Sequence, residues 1–73
     1  MTEQEAEINK LVAIAADMGL VADLRTKAVE LIGRIGSPEA LRALLDLAAR
    51  EDLFAEERDL CLKYAREIIK TRH

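Results

Sequence analysis

Apolar residues recur along the chain at spacings of three and four, and polar or glycine-containing interruptions cut this pattern into four stretches. Ile8, Leu11, Val12, Ala15 and Ala16 form the first stripe. Thr2 and Glu5 stand before it with the T-x-x-E spacing of a capping box, in which hydroxyl and carboxylate each satisfy a free N–H of a first turn, so a helix is predicted from near Glu3. Gly19 can take the left-handed conformation and is expected to end it. Leu24, Ala28, Leu31, Ile32 and Ile35 predict a second helix from about Ala22 or Asp23 to Ile35. The run Gly36-Ser37-Pro38-Glu39 is the sharpest punctuation: Gly36 suits a helix-ending position, Ser37 the next N-cap, and Pro38 a first turn where its missing N–H costs nothing. Helix three is predicted from Pro38 to about Arg50, with Leu41, Leu44, Leu45 and Ala48 inward. Asp52 is expected to cap a fourth helix reaching about Lys70, with Leu60, Cys61, Tyr64, Ala65 and Ile68 as its stripe.

Composition narrows this to an all-α domain. The apolar share of 51% is mostly Ala (12) and Leu (11), the strongest apolar helix formers, while aromatics are 3%. With 73 residues there is room for one domain, 1–73, and none for a doubly wound nucleotide-binding fold or a large enclosed pocket. Charges follow the helix boundaries. Glu3, Glu5, Glu39, Glu56 and Glu57 fall in first turns and Arg34, Arg50, Lys70 and Arg72 in last turns, where each complements the helix dipole. Glu30/Arg34, Asp46/Arg50 and Asp59/Lys63 are acid-before-base pairs on exposed faces. The net charge of −3 argues against a dominant basic surface for nucleic acid. A single cysteine, no apolar run like a signal peptide and no membrane-length segment make a cytoplasmic setting the expectation, with no membrane partner.

Shifted by 33 residues, the chain matches itself. Leu11 meets Leu44, Ala15 meets Ala48, Ala16 meets Ala49, Leu20 meets Leu53, Ala22 meets Ala55, Arg25 meets Arg58 and Ile35 meets Ile68. Conservative pairs, Val12/Leu45, Ile14/Leu47 and Val29/Leu62 among them, fill between, and the register crosses a turn without a gap. Such self-similarity marks stacked supersecondary units. The segment Leu24-Arg25-Thr26-Lys27-Ala28-Val29-Glu30-Leu31-Ile32-Gly33-Arg34-Ile35, followed by Gly36-Ser37-Pro38-Glu39-Ala40, resembles the second helix of short HEAT-like repeats of the phycobilin-lyase type. Asp52 before Arg58 matches the family's turn Asp; repeat one has Gly19 there. The resemblance covers about Ile8 to Ile69 and implies two stacked antiparallel helical hairpins forming an α-α superhelix fragment, with repeat one about 3–36 and repeat two about 37–70. It also implies a ladder between repeats, in which Arg25 pairs with Asp52, and an inner surface lined by the second helix of each pair. Repeat two departs from the pattern: Glu57 replaces an apolar residue, Ala65 a Leu and Arg66 a Gly, which suits a terminal, solvent-facing unit.

Catalytic chemistry is missing. His73 is the last residue, too prone to fray to act as a positioned base. Cys61 aligns with Ala28 on an inward face, as a small core residue would. One Cys and one terminal His give no metal spacing, Gly33-x-x-Gly36 is explained by packing and helix termination, and no cofactor is implied. The reading is therefore a non-catalytic protein–protein interaction or scaffold module presenting rigid helix surfaces. Ile14, Val29, Leu47, Leu62 and Ile69, at the edges of the stripes, are the candidate partner interface; packing between the two hairpins of a closed four-helix domain is the other use for them. Arg25, Asp52, Arg58, Gly36 and Pro38 are the structural repeat residues. A protein partner or self-association, such as an end-to-end homodimer, is expected. The alternative from another class is a small nucleic-acid-associated protein using Lys63, Arg66, Lys70, Arg72 and His73, although Asp59 and Glu67 interrupt that patch. A lyase or chaperone accessory to a chromophore enzyme rests on the resemblance alone.

Overall fold

A computed structural model describes residues 2–71; Arg72 and His73, part of the basic cluster considered above, lie outside them. The described residues form four helices, α1 Glu3–Ala15, α2 Ala22–Ile35, α3 Pro38–Ala48 and α4 Ala55–Thr71, and the fold is all-α. Local chemistry sets most of the boundaries. The capping box of α1 is present, with Glu5 N–H donating to Thr2 Oγ1 at 3.1 Å and Thr2 N–H reaching Glu5 Oε1 at 3.4 Å. At the α2–α3 junction Gly36 takes φ 66°, the one left-handed residue among those described. Ser37 Oγ then accepts from Ala40 N–H at 3.1 Å, and Pro38 opens α3.

Three expected boundaries differ. Gly19 does not end α1. The helix stops at Ala15, with Ala16 right-handed at its cap, and Gly19 N–H instead donates to the Asp17 carboxylate at 2.9 Å inside the following turn. That side chain supplies the acceptor a left-handed glycine cap would have found on the backbone. Helix α3 ends at Ala48, two residues before Arg50. Asp52 does not cap α4, which begins three residues later at Ala55, where Phe54 C=O accepts from Glu57 and Arg58 N–H.

Helix α1 packs on α2 and α3 on α4; the two pairs meet through α2 with α4, α2 with α3 and α1 with α3. Helices α2 and α4 run in the same direction: Arg25 in the first turn of α2 bonds Glu57 in the first turn of α4, and about two turns further along both helices Gly33 lies against Tyr64. Ile32, Leu44, Leu47, Val29 and Cys61 are the largest fully buried side chains. The inward stripes of α1 and α4 lie as expected, and those of α2 and α3 are shifted in part. Leu24, Leu31 and Leu45 are exposed, while Arg25, Val29, Ala40, Ala43 and Leu47 are buried, because the contact between pairs recruits a second face of α2 and α3 beyond the one turned to the helix's own partner.

Gly33 lets α2 and α4 approach closely. A Cβ there would lie 2.7 Å from Tyr64 Cδ1, 2.8 Å from Cγ and 3.0 Å from Cβ, at the root of the ring rather than at a movable tip. Alanine gains about 1 kcal/mol of helix propensity over glycine, but overpacking costs about 1–3 kcal/mol. Gly33→Ala is therefore expected to lower stability in the native background and to raise it in a Tyr64→Ala background. Urea midpoints of the four-member cycle check this; the same sign in both backgrounds would show that the close approach does not limit the fold.

Candidate functional site

Arg25 and Glu57 occupy the contact between the two helix pairs. Arg25 Nε donates to Glu57 Oε1 at 3.0 Å, and the two side chains are only 6% and 3% exposed. Arg25 also donates through Nη1 to Leu20 C=O, and its guanidinium lies 5.5 Å from the centre of the Phe54 ring. Glu57 Oε2 is buried without a hydrogen-bond partner. The pair therefore bridges α2, α4 and the two preceding loops.

This corrects the expectation that Arg25 pairs with Asp52. Asp52 sits in the exposed turn before α4, gripped by Arg50 Nε at 3.0 Å and Nη2 at 2.9 Å. The bidentate contact holds the Asp52 carboxyl below its usual range. Arg50 thereby pairs forward across the turn rather than back to Asp46; the Glu30/Arg34 pair forms, at 3.6 Å. Glu57, which departs from the repeat pattern, is the acid that faces Arg25. Only the aligned position, Leu24, hints at it: a carboxylate stands where the other copy is apolar.

The five candidate interface residues separate. Val29 is fully buried and Leu47 is 1% exposed, so neither belongs to a free surface. Val29 lies on one stripe with Arg25 and Gly33, both of which touch α4, and Leu47 lines the α1–α3 contact with Ile8, Val12 and Ala43. Their copies at the 33-residue offset are exposed: Leu62 at 43% and Ile14 at 37%, with Ile69 at 52%. Ile14, Leu24 and Leu31 hold the positions in pair one that Leu47, Glu57 and Tyr64 hold in pair two. These three therefore lie on the side of pair one turned away from pair two. Leu45, Leu62 and Ile69 lie on the side of pair two turned away from pair one. On α4 the stripe Arg58, Leu62, Arg66 and Ile69 is rotated by roughly 100° to 180° from Glu57. Arg58 stands in the place of Arg25, and its Nε is buried with no hydrogen-bond partner.

Sequence reasoning missed a groove of about 680 Å³ between α1 and α3, floored by Ile8, Val12, Ala43 and Leu47. Its rim mixes Glu5, Glu39 and Asp46 with Arg42 and Arg50, and Glu5 and Arg50 are already engaged in the capping box and with Asp52. Cys61 is fully buried, and desolvation, helped by Glu57, pushes its thiol up to about 11, so it is neutral at physiological pH. Among the described residues no group of three or more His, Cys, Asp and Glu gathers to hold a metal ion, and no helix is long and apolar enough to cross a membrane. Comparison of the chain with known protein families, with curated proteins and with solved structures returned no match.

Proposed function

We propose that the chain is a cytoplasmic, non-catalytic interaction module built of two HEAT-like helical hairpins, acting through the outer faces of its two helix pairs. One observation carries this reading. Two residues that bury the contact between the pairs recur at a fixed offset in exposed form: Leu47 as Ile14 and Val29 as Leu62. Stacked units use equivalent faces for equivalent contacts, so these outer faces have the shape and character of faces that cover one another. Apolar anchors at their centres and charges around them match the anatomy of a protein interface.

The test uses the full chain and two variants, Ile14→Glu and Leu62→Glu. Light scattering over a wide concentration range reads self-association, and immobilised chain incubated with lysate of its source organism reads a foreign partner. At least one of the two signals is expected from the native chain and should weaken in one of the variants, whose circular dichroism stays native. A chain that is monomeric throughout and retains nothing that the variants lose would overturn the proposal.

A further inference from the structure

We infer that, beyond the outer faces proposed above, the end of the molecule where α2 and α4 begin docks a cationic amphipathic helix of another protein, with Val21, Leu24 and Phe54 as its apolar contacts. The two first turns lie side by side there, Arg25 of one bonded to Glu57 of the other. Val21 and Phe54 hold the N-cap positions. Val21 C=O accepts from Leu24 and Arg25 N–H, and Phe54 C=O from Glu57 and Arg58 N–H. Thr2 and Ser37 cap α1 and α3 with their hydroxyls, but neither Val21 nor Phe54 has a side chain that can accept a hydrogen bond. Valine is among the poorest N-cap residues. Packing does not explain these residues either. Val21, Phe54 and Leu24 are 65%, 58% and 53% exposed, the three most exposed large apolar side chains among the described residues, whereas the adjacent Leu53 is buried. Apart from the Phe54 ring lying over Arg25, folding leaves this apolar surface unused.

The same end is acidic. Asp17, Asp23, Glu51, Asp52 and Glu56 are exposed, and the one exposed cation within residues 16–24 and 49–57, Arg50, is bound to Asp52. Asp23 and Glu56 offset the positive ends of α2 and α4. The carbonyl ends of α1 and α3 point here as well, and neither helix has a basic residue in its last turn. An apolar patch in such surroundings selects a partner with cations beside its own apolar contacts. No strand lies among the described residues, so an extended segment finds no open ladder to join; a helix satisfies its own backbone and can lie on the patch. Other occupants fit worse. An anionic lipid surface is repelled, and the same end of a second copy would set carboxylates against carboxylates. Helix α4 of a second copy mixes its lysines and arginines with Asp59 and Glu67, and seating it here would build an open chain of copies.

The test titrates a fluorescent amidated peptide, two copies of Leu-Lys-Lys-Leu-Leu-Lys-Leu, with the full chain at about 0.15 M salt. Saturable binding is expected, and Val21→Ser/Phe54→Ser should weaken it by about tenfold or more. Asp23→Lys/Glu56→Lys should do the same, with Asp23→Asn/Glu56→Gln in its place if that chain unfolds. Glu7→Lys/Glu67→Lys changes the net charge equally at exposed sites away from this end, and should stay within about threefold. Leu62→Glu should also leave binding within about threefold, so this inference and the outer-face reading can fail separately. Val21→Ser alone is expected to raise the folding equilibrium constant by about fivefold, because serine supplies the cap that α2 lacks. A fall instead would show that Val21 serves folding and would overturn the inference. Absence of saturable binding, an equal loss in Glu7→Lys/Glu67→Lys, or no loss in Val21→Ser/Phe54→Ser would each do so too. Self-association, or binding to phosphatidylglycerol vesicles, that Val21→Ser/Phe54→Ser abolishes would assign the surface to a second copy or to lipid and reject the cationic helix.

Discussion

Glu57→Ala is expected to cost about 3–5 kcal/mol of folding stability. The cost follows from what the truncation strands. Arg25 is about as buried as the aliphatic core, and without Glu57 its guanidinium has only Leu20 C=O and the Phe54 ring as company. Removing one partner of a buried pair carries this penalty, whereas replacing both with apolar groups of similar volume is often neutral or stabilising. A domain of this size has a total stability of about 4–11 kcal/mol, so a loss of that order is a large part of the whole. The reverse truncation, Arg25→Ala, is expected to be costly for the same reason, because it strands the buried Glu57 carboxylate. The double variant Arg25→Met/Glu57→Met is expected to recover most of the loss. Urea unfolding followed by far-ultraviolet circular dichroism measures all four chains. A Glu57→Ala chain within about 1 kcal/mol of native would mean that the pair is not the seam between the helix pairs.

What could be read from the sequence was what neighbouring residues decide among themselves. Thr2 with Glu5, and Gly36 with Ser37 and Pro38, complete their hydrogen bonds or set their backbone angles within a few positions, and they lie as expected. Gly19 failed because a side chain two residues away, Asp17, offered its N–H an acceptor that helix-ending rules do not consider. Asp52 failed for a similar reason: Arg50, two residues back, claims its carboxylate first. Leu24 and Leu31 continue an apolar stripe and so read as inward, yet both are exposed. A stripe on a helix has two edges, however, and which edge is covered depends on where the second pair docks. Arg25 and Glu57 were hidden by the opposite habit, since charged residues read as solvated ones until a long-range partner buries both. The 33-residue offset was the one signal in the sequence that reached across the turns. It identified Ile14/Leu47 and Val29/Leu62 as equivalent positions without saying which member of each pair is covered.

That asymmetry between equivalent positions leads to the second large effect. Leu47→Glu is expected to unfold the chain, and Ile14→Glu, at the matching position of α1, to leave it folded. Leu47 is 1% exposed at the α1–α3 contact. Its replacement forfeits about 2–5 kcal/mol of buried side chain and forces a carboxylate with no cation reserved for it into the same space. Together these exceed what a domain of this size has to lose. Ile14 is 37% exposed, so glutamate there can turn into water, and its better helix propensity offsets part of the lost apolar contact. The change should stay within about 1 kcal/mol. Val29→Glu against Leu62→Glu repeats the comparison on α2 and α4, with Val29 fully buried and Leu62 43% exposed. Thermal melts with circular dichroism read both pairs. If Ile14→Glu or Leu62→Glu unfolds the isolated chain, that face already carries folding energy within the monomer and is not held open for a partner. If both stay folded while their counterparts collapse, the same residue pattern is serving as core on one side of each helix pair and as unclaimed surface on the other. The copy that faces inward then shows what the outward copy can hold.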